Sequence, residues 1–130
     1  MILDLYITYK KLEEIDIIQD LIIKKRDSVT YDCFFYDENN TLVDITGATL
    51  FFTIKEKSSD TDETAILKKT ITSLTNSTDG EAKIELNPTD TNLTVGNYIY
   101  DIQIKLSTGE IYTCLEGNIC VKQDITIRTS

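Results

Sequence analysis

The chain contains no histidine and no tryptophan, and proline occurs only once in 130 residues. The absence of histidine excludes histidine-based catalytic triads and removes the commonest general base and zinc ligand. Cysteine is also scarce, and Cys33, Cys114 and Cys120 lack the closely spaced pairs of a zinc ribbon. We therefore expect no catalytic residues, no cofactor and no metal site, and we expect that the chain is not an enzyme.

Basic residues are few: 13 Lys and Arg stand against 22 Asp and Glu, and the formal net charge is −9. Like-charge repulsion keeps such a chain away from nucleic acid and from anionic lipid. An acidic face could dock on a basic partner, although net charge also simply keeps a protein soluble. No run approaches the ~18 apolar residues of a membrane helix. We expect neither nucleic acid nor membrane among the partners.

The start of the chain carries an early Asp4 and no basic region, so we expect no secretory signal. An odd number of cysteines then indicates reduced thiols and synthesis in a cytosol. Cys33 alternates with Tyr31 and Phe35 on one face of a strand pattern. We therefore expect Cys33 to be a small hydrophobic residue of the core, and we favour this role over that of a nucleophile.

The apolar composition favours β structure, because there are 19 Ile and 19 Thr against only 3 Ala. β-Branched residues fit a pleated sheet, whereas Ala favours helix. Apolar residues alternate with polar ones in short runs, which predicts about seven to nine strands in a sandwich. The clearest runs are Leu3, Leu5, Ile7, Tyr9; Val29, Tyr31, Cys33, Phe35; Ala48, Leu50, Phe52, Ile54; and Tyr98, Tyr100, Ile102, Ile104.

Turn signals separate these runs. Asp37 begins an Asx turn, which is favoured over a calcium loop because the Gly and the distal Glu of an EF-hand are missing. Gly47 is expected at a bend that no β-branched residue would tolerate. Residues 107–109 predict a tight hairpin.

The end of the chain carries further signals. Pro88 lies in a stretch that predicts a short capped helix, which Gly96 ends. Tyr98 is expected to hydrogen-bond back to the preceding loop in the manner of a tyrosine corner. Gly117 is expected to break the last long strand.

Five segments then occur in a recognisable order. They read KRDSV at residues 25–29, YDENNTLVDITGATL at 36–50, LTVGNYIYDI at 93–102, STGE at 107–110 and LEGNI at 115–119. Together they resemble the immunoglobulin-like domain at the N-terminus of tailed-phage baseplate upper proteins, and related small domains of phage and prophage virions. The resemblance covers roughly residues 22–127. Its motifs mark the fold more than the function.

The resemblance implies an all-β, immunoglobulin-like antiparallel sandwich over residues 16–130, with residues 1–15 as an N-terminal arm or extra strand. Two departures from the family pattern are visible. Arg26 stands where the family commonly has Gly, so the turn there is expected to be looser, or to be shaped by the extra N-terminal segment. Baseplate upper proteins also continue into a long trimeric region, whereas this sequence stops at Ser130.

The leading hypothesis is a structural component of a tailed-phage virion, made in the host cytoplasm, that contacts other virion proteins. Capsid decoration, a fibre adaptor and a tail or baseplate position all suit a one-domain chain, as a homo- or hetero-oligomer. The alternative is a carbohydrate-binding or host-adhesion sandwich, although the lack of tryptophan disfavours it. The hypothesis of a hydrolase is disfavoured because the sequence contains no recognisable set of catalytic residues.

Two groups of residues are candidates for protein contacts. Phe34, Tyr36 and Phe51 are out of phase with the core pattern, so they either anchor an interface or face a second buried surface. The apolar stripe of Leu3, Leu5, Ile7 and Tyr9 needs a cover. It either pairs within its own domain or adds to a neighbouring subunit, and we expect the second.

Overall fold

The computed structural model describes residues 2–8, 18–37, 39–56 and 65–123, the first range for its backbone only. Within these ranges helix is limited to one 3₁₀ turn at Ser77–Asp79. The strands of the described residues are β1 (Ile2–Thr8), β2 (Leu21–Lys24), β3 (Val29–Tyr36), β4 (Thr49–Lys55), β5 (Leu67–Ile71), β6 (Glu81–Leu86), β7 (Gly96–Lys105) and β8 (Ile111–Lys122).

These strands form two sheets. The smaller sheet has the order β1-β3-β6, and the larger has the order β2-β8-β7-β4-β5. Four of the pairings are antiparallel, whereas β1 pairs with β3 and β2 pairs with β8 in parallel. The predicted all-β sandwich is confirmed.

The alternation of strand residues places one face of each sheet in the core. Val29, Tyr31, Cys33 and Phe35 on β3 are each at most 1% exposed, as their spacing predicts. In the larger sheet the buried side chains include Leu50, Phe52, Ile54, Tyr100, Ile102, Ile104, Ile119 and Val121.

Aromatic rings join the two sheets across this core. The ring centroid of Phe52 lies 5.9 Å from that of Tyr31, on the smaller sheet, and 5.9 Å from that of Tyr100 on the larger one. Both pairs are tilted, an arrangement that the ring quadrupoles favour. The core is therefore continuous between the sheets.

The predicted turns are present. The Asp37 carboxylate accepts hydrogen bonds from the backbone N–H groups of Asn39 (2.8 Å) and Thr41 (3.0 Å), which makes the expected Asx turn. Gly47 has a φ of +80°, which favours glycine. In the β7–β8 hairpin the N–H of Gly109 donates to the carbonyl of Leu106 at 2.9 Å.

Arg26 shows how the chain replaces the glycine of the resembling family. It has a φ of +66°, so the turn keeps a left-handed, glycine-type conformation. Its N–H donates to the carbonyl of Thr91 at 3.3 Å, and the buried Thr91 hydroxyl donates to the carbonyl of Asp27 at 2.7 Å. Bonds between two loops therefore hold this turn.

The cap predicted before Pro88 is present: the Asn87 side chain accepts from the N–H of Asp90 (2.9 Å), and the Asp90 carboxylate accepts from the N–H of Asn87 (3.0 Å). It begins a single turn at residues 88–91 and not a longer helix.

Two glycine predictions were wrong: Gly96 begins β7 and does not end a helix. Gly117 does not break the last strand, since β8 runs through it. A Cβ built on Gly117 would lie 2.3 Å from the carbonyl oxygen of Gln19, so glycine is needed there for a close crossing of the chain.

The N-terminal segment forms β1 and pairs with β3 of the same chain. Leu3, Leu5 and Ile7 are the register partners of Tyr31, Cys33 and Phe35. This pairing corrects the expectation that the segment leaves its own domain, because β3 already supplies backbone partners for it. Contact between the other edge of β1 and a neighbouring chain stays a prediction.

Candidate interaction surfaces

Residues 18–37, 39–56 and 65–123 hold no cluster of three or more His, Cys, Asp or Glu side chains placed to bind a metal. In the same part of the chain no helix has the length and apolarity to cross a membrane.

The three thiols are free, as predicted, and two of them are buried. Burial raises the pKa of the Cys33 thiol far above its ordinary value, and neighbouring Asp32 and Cys114 add to the shift. Burial also raises the pKa of Cys114 to about 12. Because the thiolate is the nucleophile, both groups are inert, while Cys120 is half-buried on β8.

The three aromatic candidates do not form one surface. Phe34 and Tyr36 lie on the outer face of the smaller sheet, whereas Phe51 lies on the outer face of the larger one, and all three are half-buried. They are separated because β3 and β4 belong to opposite layers of the sandwich. Their grouping as a single cluster was wrong, and their role in contacts stays a prediction. Tyr9 lies outside the described residues.

The loops at the two ends of the sandwich are pinned by hydrogen bonds. The hydroxyl of Tyr98 donates to the carbonyl of Thr94 at 2.5 Å, which confirms the predicted tyrosine-corner contact. At the other end, the Asp44 carboxylate accepts from the hydroxyl (2.6 Å) and the N–H (2.9 Å) of Thr46. The hydroxyl and backbone bonds lower the pKa of Asp44. These hydrogen bonds therefore have a structural role, which is to fix the conformation of the two loops.

The most exposed large apolar side chains of the described residues share one surface, the outer face of the larger sheet. Ile18 is 72% exposed, Ile22 57% and Ile111 56%. Ile18 bridges to β8 at Glu116, Ile22 lies on the edge strand β2, and Ile111 begins β8. Large apolar side chains exposed on one face of a sheet are candidates for protein contact.

Two shallow hollows adjoin on this outer face. One has a volume of about 430 Å³ and is lined in part by Ile18, Ile99 and Glu116. The other has a volume of about 250 Å³ and is lined in part by Phe51 and Ile111. Thr53 lines both hollows, so the two form one depression across the sheet. Its side chain lies on the outer face but is only 8% exposed.

Like charges lie directly opposite each other at two places on this face. Asp101 on β7 is the register partner of Glu116 on β8. Lys24 on β2 is the register partner of Lys122, also on β8. The two pairs have opposite sign, and Lys24 and Asp101 each have a further interaction partner.

A third hollow is lined mainly by polar side chains. It has a volume of about 660 Å³ and lies beside the edge strands β5 and β6. Its lining residues include Lys69, Thr70, Lys83 and Glu85, and no aromatic side chain. A sugar-stacking platform needs exposed rings, so this hollow does not favour the carbohydrate-binding alternative.

Comparisons with known proteins concern mainly the fold. No protein-family model matches the chain, and no curated protein matches it in sequence. Among solved structures, the N-terminal domain of phage TP901-1 ORF48 is similar, with a TM-score of 0.57 and 15% identity, over 94% of this chain and 99% of that one. The two chains share a fold.

A second solved structure has lower similarity. The PKD domain (329–428) of human KIAA0319 aligns with 14% identity over 99% of this chain and 90% of that one, at a TM-score of 0.34. A TM-score this low does not indicate a common fold. The likeness of fold therefore rests on the phage domain, and the sandwich on the two sheets of this chain.

Sequence reasoning missed the outer face of the larger sheet. Ile18 and Ile22 lie four residues apart, whereas Ile111 comes from a distant part of the chain, and the parallel pairing of β2 with β8 places all three on one sheet. A signal was nevertheless present, because Ile22 is out of phase with the buried Leu21 and Ile23. An apolar residue on the polar side of a strand pattern is the feature to look for.

Proposed function

We propose that this chain is a small structural subunit of a tailed-phage virion, which works by burying its surfaces against other virion proteins. The observation that carries the proposal is the likeness to the phage TP901-1 ORF48 domain, which covers 99% of that domain. The motifs of residues 25–119 that resemble phage baseplate domains point the same way. A tail or baseplate position is favoured over capsid decoration for this reason.

The surfaces of the molecule suit such a role. A binding subunit needs exposed apolar area and a rigid frame, and here Ile18, Ile22 and Ile111 project from a five-stranded sheet. The role requires no reacting group, which agrees with the buried, protonated thiols of Cys33 and Cys114. The proposed partners are therefore proteins of the particle.

Deletion of the coding sequence from a phage or prophage that carries it tests this proposal. We expect the lysate to lose complete particles, and we expect the chain supplied in trans to restore them and to co-purify with them through a density gradient. A matched strain with a synonymous recoding of the same gene controls for effects on neighbouring genes. Normal infectious particles that lack the chain would overturn the proposal.

A further inference from the structure

We propose that the outer face of the larger sheet binds the outer face of the smaller sheet of a second copy, so that copies stack head to tail. The two faces lie on opposite sides of the sandwich. Because the contact joins two different faces, a pair of copies still has one free face of each kind. Association therefore continues beyond a dimer, into a ring or an open filament.

The outer face of the larger sheet carries an excess of positive charge. Its outward-facing charged strand residues are Lys24, Lys55, Lys68, Lys105 and Lys122 on one side of the balance, and Asp101 and Glu116 on the other. Lys24, Lys55 and Asp101 have further interaction partners. When these three are set aside, the remaining lysines still outnumber Glu116. This basic face belongs to a chain whose net charge is −9.

The outer face of the smaller sheet has the opposite sign. Among its described side chains, the charged ones are Asp32 on β3 and Glu81, Lys83 and Glu85 on β6. Lys83 is the register partner of Asp32, and opposite charges at paired strand positions attract each other. Glu81 and Glu85 therefore leave an excess of negative charge on this face.

Both faces also carry apolar side chains that the contact would cover. Phe34 and Tyr36 are half-buried on the outer face of the smaller sheet. On the larger sheet, Ile22 and Ile111 are each more than half exposed, and Phe51 lines the depression beside Ile111. Aromatic side chains are enriched in protein interfaces, and burial of exposed isoleucine favours association.

Charge and shape distinguish this partner from other occupants of the larger sheet. The same face of a second copy is also basic and is repelled, while the overall negative charge repels nucleic acid. Other acidic residues of the chain, such as Asp44, Asp79 and Glu110, lie on connections between strands. Two sheets pack against each other through their faces, so the smaller sheet is the acidic surface whose shape fits.

The size of the smaller face sets the expected strength. It has three strands among the described residues, so we expect the contact to bury less than the total of about 1,200 Å² that stable interfaces bury. We expect reversible association with a dissociation constant on the order of 100 µM. In a virion, which rests on the proposed function, neighbouring copies held side by side would strengthen it through their effective concentration.

Sedimentation of the full chain from about 10 µM to about 1 mM tests the proposal. The expected result is association that passes beyond a dimer as concentration rises and weakens as salt is added. Two double variants each reverse one face: Lys68→Glu with Lys122→Glu, and Glu81→Lys with Glu85→Lys. Each is expected to weaken association about tenfold or more, because each brings like charges together.

The second double variant separates contact between faces from repulsion between whole molecules. It makes the chain less negative, so overall charge alone would predict stronger association, whereas the proposal predicts weaker association. Asp79→Lys is the matched control, since it reverses an acidic residue outside both faces and is expected to keep the association. All four changes in one chain restore opposite signs, and association is expected to return.

Every variant must first show the far-UV circular dichroism and thermal unfolding of the parent chain. Lys122→Glu and Glu85→Lys alter exposed residues, and as single changes they give the same test if a double variant does not fold. A parent chain that stays monomeric at about 1 mM, one that stops at a dimer, or a folded fourfold variant that does not associate would overturn the proposal. The virion role has its own test by gene deletion, so the two can fail separately.

Discussion

The hydroxyl of Tyr98 donates a hydrogen bond to the backbone carbonyl of Thr94 at 2.5 Å, four residues back along the chain. This bond joins the start of β7 to the loop that precedes it. That loop also carries Thr91, whose hydroxyl reaches the carbonyl of Asp27. The contact therefore helps to hold one end of the sandwich together.

Replacement of this hydroxyl should weaken the fold. Tyr98→Phe is expected to lower the free energy of unfolding by about 1 kcal/mol, because the carbonyl of Thr94 loses its donor while the ring still packs. Urea denaturation measures the change. Tyr112→Phe is the control, since its hydroxyl bonds an exposed carboxylate of Glu110, and it should change stability by less than about 0.5 kcal/mol. Equal effects of the two changes would contradict this account.

Tyr31→Phe should have the opposite sign to Tyr98→Phe. The Tyr31 hydroxyl is fully buried and has no hydrogen-bond partner among the described residues. Removal of an unsatisfied polar group from a core is neutral or stabilising, here by up to about 1 kcal/mol. Urea denaturation again measures the change, and a loss of more than about 1 kcal/mol would show that the hydroxyl has a partner.

Gly117→Ala should displace the chain segment that crosses β8. The new Cβ would meet the carbonyl oxygen of Gln19 at 2.3 Å, which packing does not tolerate. The expected cost is about 1 to 3 kcal/mol of unfolding free energy, with loss of the hydrogen bond from Tyr100 to Gln19. Asn118→Ala, an exposed change on the same strand, should cost little. A normal stability of Gly117→Ala would refute the close crossing.

The pKa of the Asp44 carboxylate should show whether the hydrogen bonds of the bend at residues 44–47 are formed. Its folded-state pKa is lowered by the Thr46 hydroxyl and N–H, so its stabilising effect is present above the unfolded pKa of about 3.9 and is lost as pH falls through the lower folded value. Thr46→Val removes the hydroxyl bond and should raise the pKa toward its ordinary value. NMR titration measures it, and an unchanged pKa would exclude the hydroxyl as its main cause.

Deletion of residues 1–11 should destabilise the isolated domain. It removes seven cross-strand pairs between β1 and β3, which at roughly 0.5 kcal/mol each amounts to about 3.5 kcal/mol. Deletion of Met1 alone leaves these pairs in place and is the control. If the shortened chain has normal stability in urea denaturation, β1 contributes nothing to its own domain and an exchange between chains becomes the better interpretation.

The sequence predicts which side of each strand is buried, but it does not predict which distant residues come into contact. The reason is physical. Alternation along β3 and β7 identifies buried side chains such as Cys33 and Ile102, because side chains of a strand point alternately to its two faces. Local chemistry likewise predicts the Asx turn at Asp37, the bend at Gly47 and the contact of Tyr98. These features depend only on residues close together in the chain.

The failures concern distant residues. The role of Gly117 depends on Gln19, which lies about a hundred positions earlier, and no period along β8 shows that approach. The separation of Phe34 from Phe51 depends on which sheet each strand joins. The place of Ile22 on the larger sheet depends on the parallel pairing of β2 with β8, and parallel partners are distant in sequence.

The measurement that tests the central claim most directly is a cryo-microscopy reconstruction of the assembled particle, purified from the host that carries this sequence. The account predicts density for a sandwich that contains the eight described strands, at a fixed, symmetric position in the tail or baseplate and in contact with other virion proteins. Particles that are complete and infectious, with no density for this domain at any position, would contradict it.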